Sequence, residues 1–106
     1  MREATIRFSA GGMNINEIVV YEADKEESVL MKLIRARIRD WIRENYRGFK
    51  RTIALSVCPK GLGLMKEIVA RANREYSRQD PLPTCWADLR AWGEQRGYLA
   101  IKELIC

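Results

Sequence analysis

The sequence predicts an α+β fold, with a single domain over residues 1–106 and helices packed on one side of a mixed or antiparallel sheet. Two segments near the start alternate apolar and polar residues with the two-residue period of strands. Three later segments repeat apolar residues every three or four positions, which is the period of helices. Apolar residues make up 47% of the chain and charged residues 31%, a balance that favours a globular core over disorder.

The first two strands are predicted to form a β-hairpin. Residues 4–9 alternate small or apolar with polar side chains, and residues 15–22 are rich in β-branched types. The pair Gly11-Gly12 interrupts the pattern between them. Because residues 10–14 separate the two predicted strands, we expect a loop longer than the tightest hairpin type.

A long first helix is predicted over residues 25–46. Its apolar row consists of Leu30, Ile34, Ile38, Trp41 or Ile42, and Tyr46, which recur at steps of three to five residues. Asp24 and Glu27 have the spacing of a capping box at its start. Gly48 lies where a left-handed residue commonly ends a helix.

The rest of the chain is predicted to hold one central strand, two helices and a last strand. Residues 52–58 are short, β-branched and nearly all apolar, which indicates a strand covered on both faces. Helices follow over about 62–78 and 84–96, separated by a proline-containing break. Residues 98–105 form the last strand, so the predicted order is β-β-α-β-α-α-β.

The positive charge of the chain is concentrated in one segment. The net charge is +5, yet residues 1–31 carry three basic and six acidic side chains. Residues 32–51 carry eight basic side chains against Asp40 and Glu44. Such a local excess is typical of a binding surface. The candidate binding residues on and after the first helix are Lys32, Arg35, Arg39, Arg43, Arg47, Lys50 and Arg51.

These basic residues point to two kinds of partner. Arginine makes bidentate contacts with phosphate and stacks on bases, so the preferred hypothesis is a non-catalytic module that binds nucleic acid. The rival hypothesis is a protein-interaction module, for example a small regulatory or inhibitory protein of a mobile element or an assembly. It would use the same guanidinium groups against an acidic protein surface, or an exposed strand edge for pairing. Self-association to a homo-oligomer is part of this second hypothesis.

A turn between residues 58 and 63 suggests a weaker alternative, a phosphate-ligand site. Glycines let backbone N–H groups converge at a helix N-terminus, which favours anions. The candidate residues are Cys58, Lys60, Gly61 and Gly63. The turn matches neither of the glycine-rich nucleotide-binding motifs, and an ordinary strand-to-helix turn explains it better.

Composition argues against several other classes. The chain has no histidine, which removes the commonest general base and metal ligand, so we expect no catalytic site, metal or cofactor. Its cysteines, Cys58, Cys85 and Cys106, are too widely spaced for a zinc motif and odd in number. With no apolar leader and no apolar run near 20 residues, we expect no membrane partner and a cytoplasmic location.

Overall fold

A computed structural model describes residues 1–105 and confirms the α+β class, with helices on one side of an antiparallel three-stranded sheet. The strands are β1, Arg2–Ala10; β2, Met13–Tyr21; and β3, Leu99–Glu103. The helices are α1, Glu26–Asn45; α2, Gly48–Ser56; α3, Leu62–Tyr76; and α4, Trp86–Gln95. A short 3-10 helix, Ala23–Lys25, leads into α1. Cys106 lies outside the described residues.

The sheet has one buried and one exposed face. Its strand order is β2-β1-β3, and β1 pairs antiparallel with both neighbours. Along β1, Ala4, Ile6 and Phe8 are buried, whereas Arg7 and Ser9 are exposed. Helices α1, α3 and α4 pack against β2, β1 and β3, respectively. The core therefore lies between the sheet and these three helices, and the other face of the sheet is open.

The hairpin loop is shorter than predicted, and β2 begins two residues earlier, at Met13. Gly11 and Gly12 form a two-residue loop with φ values of +60° and +80°. Two successive positive φ values are the requirement of a type I′ turn, which glycine meets without steric cost. A Cβ on Gly11 would also come within 3.0 Å of the Arg71 side chain. Residues 13–16 alternate apolar and polar side chains up to the turn, so the predicted start of the second strand at residue 15 was wrong because this alternation was not followed back to Met13.

Both capping predictions for α1 are wrong, although its extent is confirmed. Asp24 lies inside the 3-10 helix, and no side chain caps the first residues of α1. Gly48 has the predicted left-handed conformation, with φ of +57°, but it begins α2 instead of ending α1. Two extended residues, Tyr46 and Arg47, separate the two helices.

The predicted strand over residues 52–58 is a helix, α2, which begins at Gly48 and ends at Ser56. The β-branched residues Thr52, Ile53 and Val57 favoured a strand locally. In the structure, Phe49, Ile53 and Val57 are spaced by four residues along the helix and its C-terminal cap, all exposed. The sequence analysis missed this four-residue spacing because the predicted strand began at residue 52 and so left Phe49 out.

The later elements were predicted correctly apart from their ends. Helices α3 and α4 and strand β3 fall within the predicted ranges. Helix α4 ends at Gln95, and Gly97, two residues later, adopts φ of +77°. The N–H of Tyr98 bonds to the carbonyl of Gly93, and the N–H of Gly97 to that of Glu94. This pair of bonds is a Schellman motif, and it turns the chain directly into β3.

One buried carboxylate, that of Glu26 in α1, connects α1 and α4 to the β1–β2 hairpin. It is only 6% exposed, at the first residue of α1. Tyr21 donates to its Oε1 at 2.8 Å, and the indole of Trp86 donates to its Oε2 at 2.7 Å. Arg90 reaches both oxygens at 3.0–3.1 Å, and Arg2 reaches Oε1 at 3.3 Å.

The Glu26 carboxylate is ionised despite its burial. Burial acts to raise the pKa of Glu26, but hydrogen bonds from Trp86 and Tyr21 and the charge of Arg90 outweigh it, so the pKa lies below its ordinary value. Burial and the same carboxylate raise the pKa of Tyr21, which keeps that hydroxyl a donor. The charged carboxylate thus stabilises the fold at neutral pH.

Replacing this carboxylate by an amide is expected to destabilise the protein. Glu26→Gln removes the buried anion to which Tyr21, Trp86, Arg90 and Arg2 all donate, and we expect the free energy of unfolding to fall by about 3 kcal/mol, as for a broken buried ion pair. Urea denaturation at pH 7 measures this, with Glu27→Gln, an exposed neighbour, as the matched control. Because the folded pKa of Glu26 is depressed, its contribution is fully present above the unfolded pKa and is lost progressively as pH falls from there through the folded pKa. A gap between wild type and Glu26→Gln that stays constant from pH 7 to pH 3 would contradict this role.

Candidate binding surface

The structure divides the seven predicted basic residues into two groups. Lys32, Arg43, Arg47 and Lys50 are exposed along α1 and at the start of α2. Arg35, Arg39 and Arg51 are half-buried between the two helices. The predicted basic face therefore exists, but part of its charge lies against the protein itself.

Arg35 and Arg39 hold the C-terminal end of α2 against α1. Arg39 donates to the carbonyl of Leu55 at 3.3 Å, and Arg35 donates to the carbonyl of Pro59 at 3.2 Å. The Leu55 carbonyl belongs to the last turn of α2, where carbonyls lack partners within the helix and the dipole is negative. Arg39 thus ties α1 to the end of α2, and Arg35 ties α1 to the turn that follows α2.

Arg51 satisfies the C-terminal carbonyls of α1. Its Nη2 donates to the carbonyl of Arg43 at 2.7 Å, and its Nε donates to that of Tyr46 at 2.9 Å. The Arg51 side chain, from α2, therefore caps the C-terminal end of α1, which is the role that the sequence predicted for Gly48.

The remaining basic residues differ in how their charge is balanced. Arg43 pairs with Asp40 at 3.3 Å, and Asp40 also pairs with Arg37 at 2.8 Å. Within residues 1–105, Lys32, Arg47 and Lys50 belong to none of the ion pairs. Their charges face solvent, so they remain free to meet an anionic partner.

Next to these charges lies an apolar row that sequence reasoning missed. Phe49, Ile53 and Val57 are 78%, 46% and 71% exposed. They recur every four residues, so they share one side of α2, which itself buries no residue. Recurrence of apolar residues at this interval, if followed back to Phe49, is the signal that could have revealed the row.

The segment around this row contains no acidic side chain. Between Glu44 and Glu67 every charged residue is basic. These residues are Arg47, Lys50, Arg51, Lys60 and Lys66. We call Phe49, Ile53 and Val57, together with Arg47 and Lys50, the α2 surface. This surface combines exposed apolar side chains with charged side chains that are all positive.

The turn at residues 58–63 has a structural explanation for its unusual composition. Cys58 is buried, and its Sγ lies 3.9 Å from the carbonyl of Pro59. Gly61 adopts φ of +57° at the start of α3, and a Cβ on Gly63 would lie 3.3 Å from Pro59. Lys60 is exposed beside a groove that Lys32, Arg35, Asp24 and Glu27 also line. Since both signs of charge meet there, anion binding at this turn stays a prediction.

A second polar cluster, also missed from the sequence, fastens α4 to the loop before it. The guanidinium of Arg96 pairs with Asp80 and lies 5.0 Å from the ring centre of Trp92 and 5.8 Å from that of Tyr76. Trp92 donates to Asp80 at 3.1 Å. Burial raises the pKa of Tyr98, beside them, to about 12. Arg96 therefore lines this pocket together with the aromatic rings of Tyr76, Trp92 and Tyr98.

Two searches of the described residues give negative findings. Residues 1–105 contain no group of His, Cys, Asp and Glu side chains arranged to hold a metal ion. Among the described helices, none combines the length and apolarity that crossing a membrane requires. Comparison with protein families, with curated proteins and with solved structures finds no match to this chain.

Stability measurements can test whether the half-buried arginines support the fold and the exposed basic residues do not. We expect Arg51→Gln to lower the free energy of unfolding by about 1 kcal/mol, because two carbonyls at the end of α1 lose a charged donor. Lys50→Gln, one residue away and exposed, is the matched control and is expected to change stability by less than about 0.5 kcal/mol. Thermal and urea denaturation of the three proteins measure both effects. Equal losses in the two variants would show that Arg51 does not support the end of α1.

Proposed function

We propose that the protein is a non-catalytic binding module and that its α2 surface docks an acidic amphipathic helix of a partner protein. The observation that carries the proposal is the exposed apolar row Phe49, Ile53 and Val57, set in a segment without any acidic side chain. Exposed apolar rows rimmed by polar groups mark interaction sites in soluble proteins.

The dimensions of the row favour a helix as its occupant. At 1.5 Å per residue, Phe49 and Val57 lie about 12 Å apart along α2, which is roughly two helical turns. A partner helix with apolar residues at intervals of three and four would cover the row. Carboxylates on the flanks of that helix would meet Arg47 and Lys50, which adds charge-assisted contacts at the rim.

The cysteines support a reducing location for this activity. Cys58 and Cys85 are both free thiols, and Cys85 is exposed. Unpaired exposed thiols are typical of proteins kept in a reducing compartment. We therefore propose that the protein works in the cytoplasm.

A designed peptide with the chemistry of the proposed partner helix tests the docking proposal. The probe is a fluorescein-labelled helical peptide of about 18 residues, with leucine on one face and glutamate on the others. We expect micromolar binding to the wild type by fluorescence anisotropy, and no binding of a peptide of the same composition in shuffled order. Phe49→Ser is expected to weaken binding at least about tenfold, or ~1.4 kcal/mol.

The control for this variant is Leu82→Ser, which removes a similarly exposed apolar side chain far along the chain. It is expected to leave the affinity unchanged. Neither substitution should alter the melting temperature, because both side chains are largely exposed. Equal binding of the ordered and shuffled peptides, or no effect of Phe49→Ser, would exclude the α2 surface as the docking site.

Nucleic-acid binding is the second candidate, and the exposed cations favour it. Lys32 and Arg43 are exposed about 17 Å apart along α1 at helical rise, and the exposed Arg47 and Lys50 follow near its C-terminal end, where α2 turns back beside α1. A row of this length could follow several phosphates of one strand, since phosphates along a strand are spaced at intervals of a few ångströms. Phosphate contacts would need these charges but not the apolar row.

Salt-dependent titration separates the two candidates. If the cations contact phosphates, single-stranded or duplex DNA or RNA binds at low salt. Changing both Arg47 and Lys50 to Glu then weakens binding and makes the duplex salt slope shallower by about 2. In that case Phe49→Ser leaves the affinity for nucleic acid unchanged. No anisotropy change with any of these nucleic acids at low salt would eliminate this candidate.

A further inference from the structure

The outer edge of β2 carries backbone groups that the sheet leaves unpaired. Strand β2 lies at one side of the sheet and pairs only with β1. The N–H of Arg7 in β1 donates to Tyr98 at 2.7 Å, on the β3 side. Asn16 is the partner of Arg7 in β2, so its own N–H and C=O point away from β1. Alternation along the strand gives the same orientation to Asn14, Ile18 and Val20.

This edge has few of the features that usually prevent strands from pairing, since its one charged side chain, Glu17, is already paired with Arg37 of α1 at 2.5 Å. The β1–β2 register runs without a bulge from Arg2 and Tyr21 to Ala10 and Met13. Strand β2 contains no proline and no lysine over its nine residues. The side chains of its outward residues are uncharged, and Ile18 and Val20 are 65% and 50% exposed. Natural edge strands are commonly protected by charges, proline, bulges or shortness.

The opposite edge of the sheet is different. Strand β3 has only five residues and includes Lys102 and Glu103. Both of these charged side chains are exposed, and both form ion pairs with β1. The β3 edge is therefore short and charged, whereas the β2 edge is long and carries a single charged side chain, that of Glu17.

We propose that the outer edge of β2 pairs antiparallel with the same edge of a second copy, forming a six-stranded sheet across a two-fold axis. In an isologous dimer the same strand of each copy must be complementary to itself. Strand β2 can meet this requirement because two antiparallel copies can pair without placing like charges opposite each other. With the axis at Val19, Ile18 of each copy faces Val20 of the other, and no two charges of the same sign oppose each other. Moving the axis to Glu17 would set two carboxylates directly across from each other, which disfavours that register.

Amide exchange identifies the edge directly. In the monomer the N–H groups of Asn14, Asn16, Ile18 and Val20 face solvent, whereas their odd-numbered neighbours in β2 bond to β1. Raising the protein concentration should slow exchange at Ile18 and Val20, as measured by NMR, but not at Asn14, which lies opposite residue 24 beyond the partner strand in the register centred on Val19. Over the same range, light scattering should show the mass rising from 12.3 kDa to twice that value.

Two charge insertions provide the variant and its control. Ile18→Lys places a cation beside the proposed axis, and we expect it to remain monomeric at concentrations where the wild type is dimeric. Ala100→Lys adds the same charge to the exposed face of β3 and should dimerise like the wild type. A wild type that stays at 12.3 kDa at millimolar concentration overturns the proposal. So does a dimer whose slowed amides lie in α2 instead of β2, because it would use the α2 surface.

Discussion

The rest of the structure depends on the ionised carboxylate of Glu26, which brings three parts of the chain to one point. Its donors come from β1, from β2 and from α4, and they satisfy both oxygens. A buried carboxylate without such donors would be protonated or excluded from the interior, because desolvation outweighs any single hydrogen bond. The carboxylate consequently restricts how the hairpin, α1 and α4 fit together. Hydrophobic burial supplies most of the stability, but it does not by itself specify this arrangement.

The same requirement for partners explains what the arginines do. Within residues 1–105, no buried side-chain nitrogen or oxygen lacks a hydrogen-bond partner. Helix α2 buries no residue of its own, so its attachment to α1 relies on partly buried side chains and on Arg39 and Arg51 bonding to carbonyls. A basic sequence segment therefore overstates the charge available to a ligand. Some of the guanidinium groups instead donate hydrogen bonds to carbonyls at helix ends, which have no backbone donor within the helix.

What the sequence predicted depended on whether the signal was local. The apolar periods of α1 and α3 and the alternation of β1 concern neighbouring residues, and they gave the correct elements. The network at Glu26 could not be predicted, because Trp86 and Arg90 lie 60 and 64 residues away along the chain. Helix α2 was mistaken for a strand because β-branched composition was given more weight than period. In this helix the apolar spacing reflects a shared exposed side instead of core packing, so burial was the wrong expectation for Ile53.

That last point bears on how α2 should be understood. An amphipathic helix normally turns its apolar row to the core, and here the row Phe49, Ile53 and Val57 turns outward while Arg51 faces α1. Rotating α2 to bury the row would separate Arg51 from the carbonyls of Arg43 and Tyr46 and expose the end of α1. The polar ties thus hold the helix in the orientation that leaves its apolar row in solvent. An exposed row fixed by specific hydrogen bonds is a preformed surface, which lowers the ordering cost for any partner that covers it.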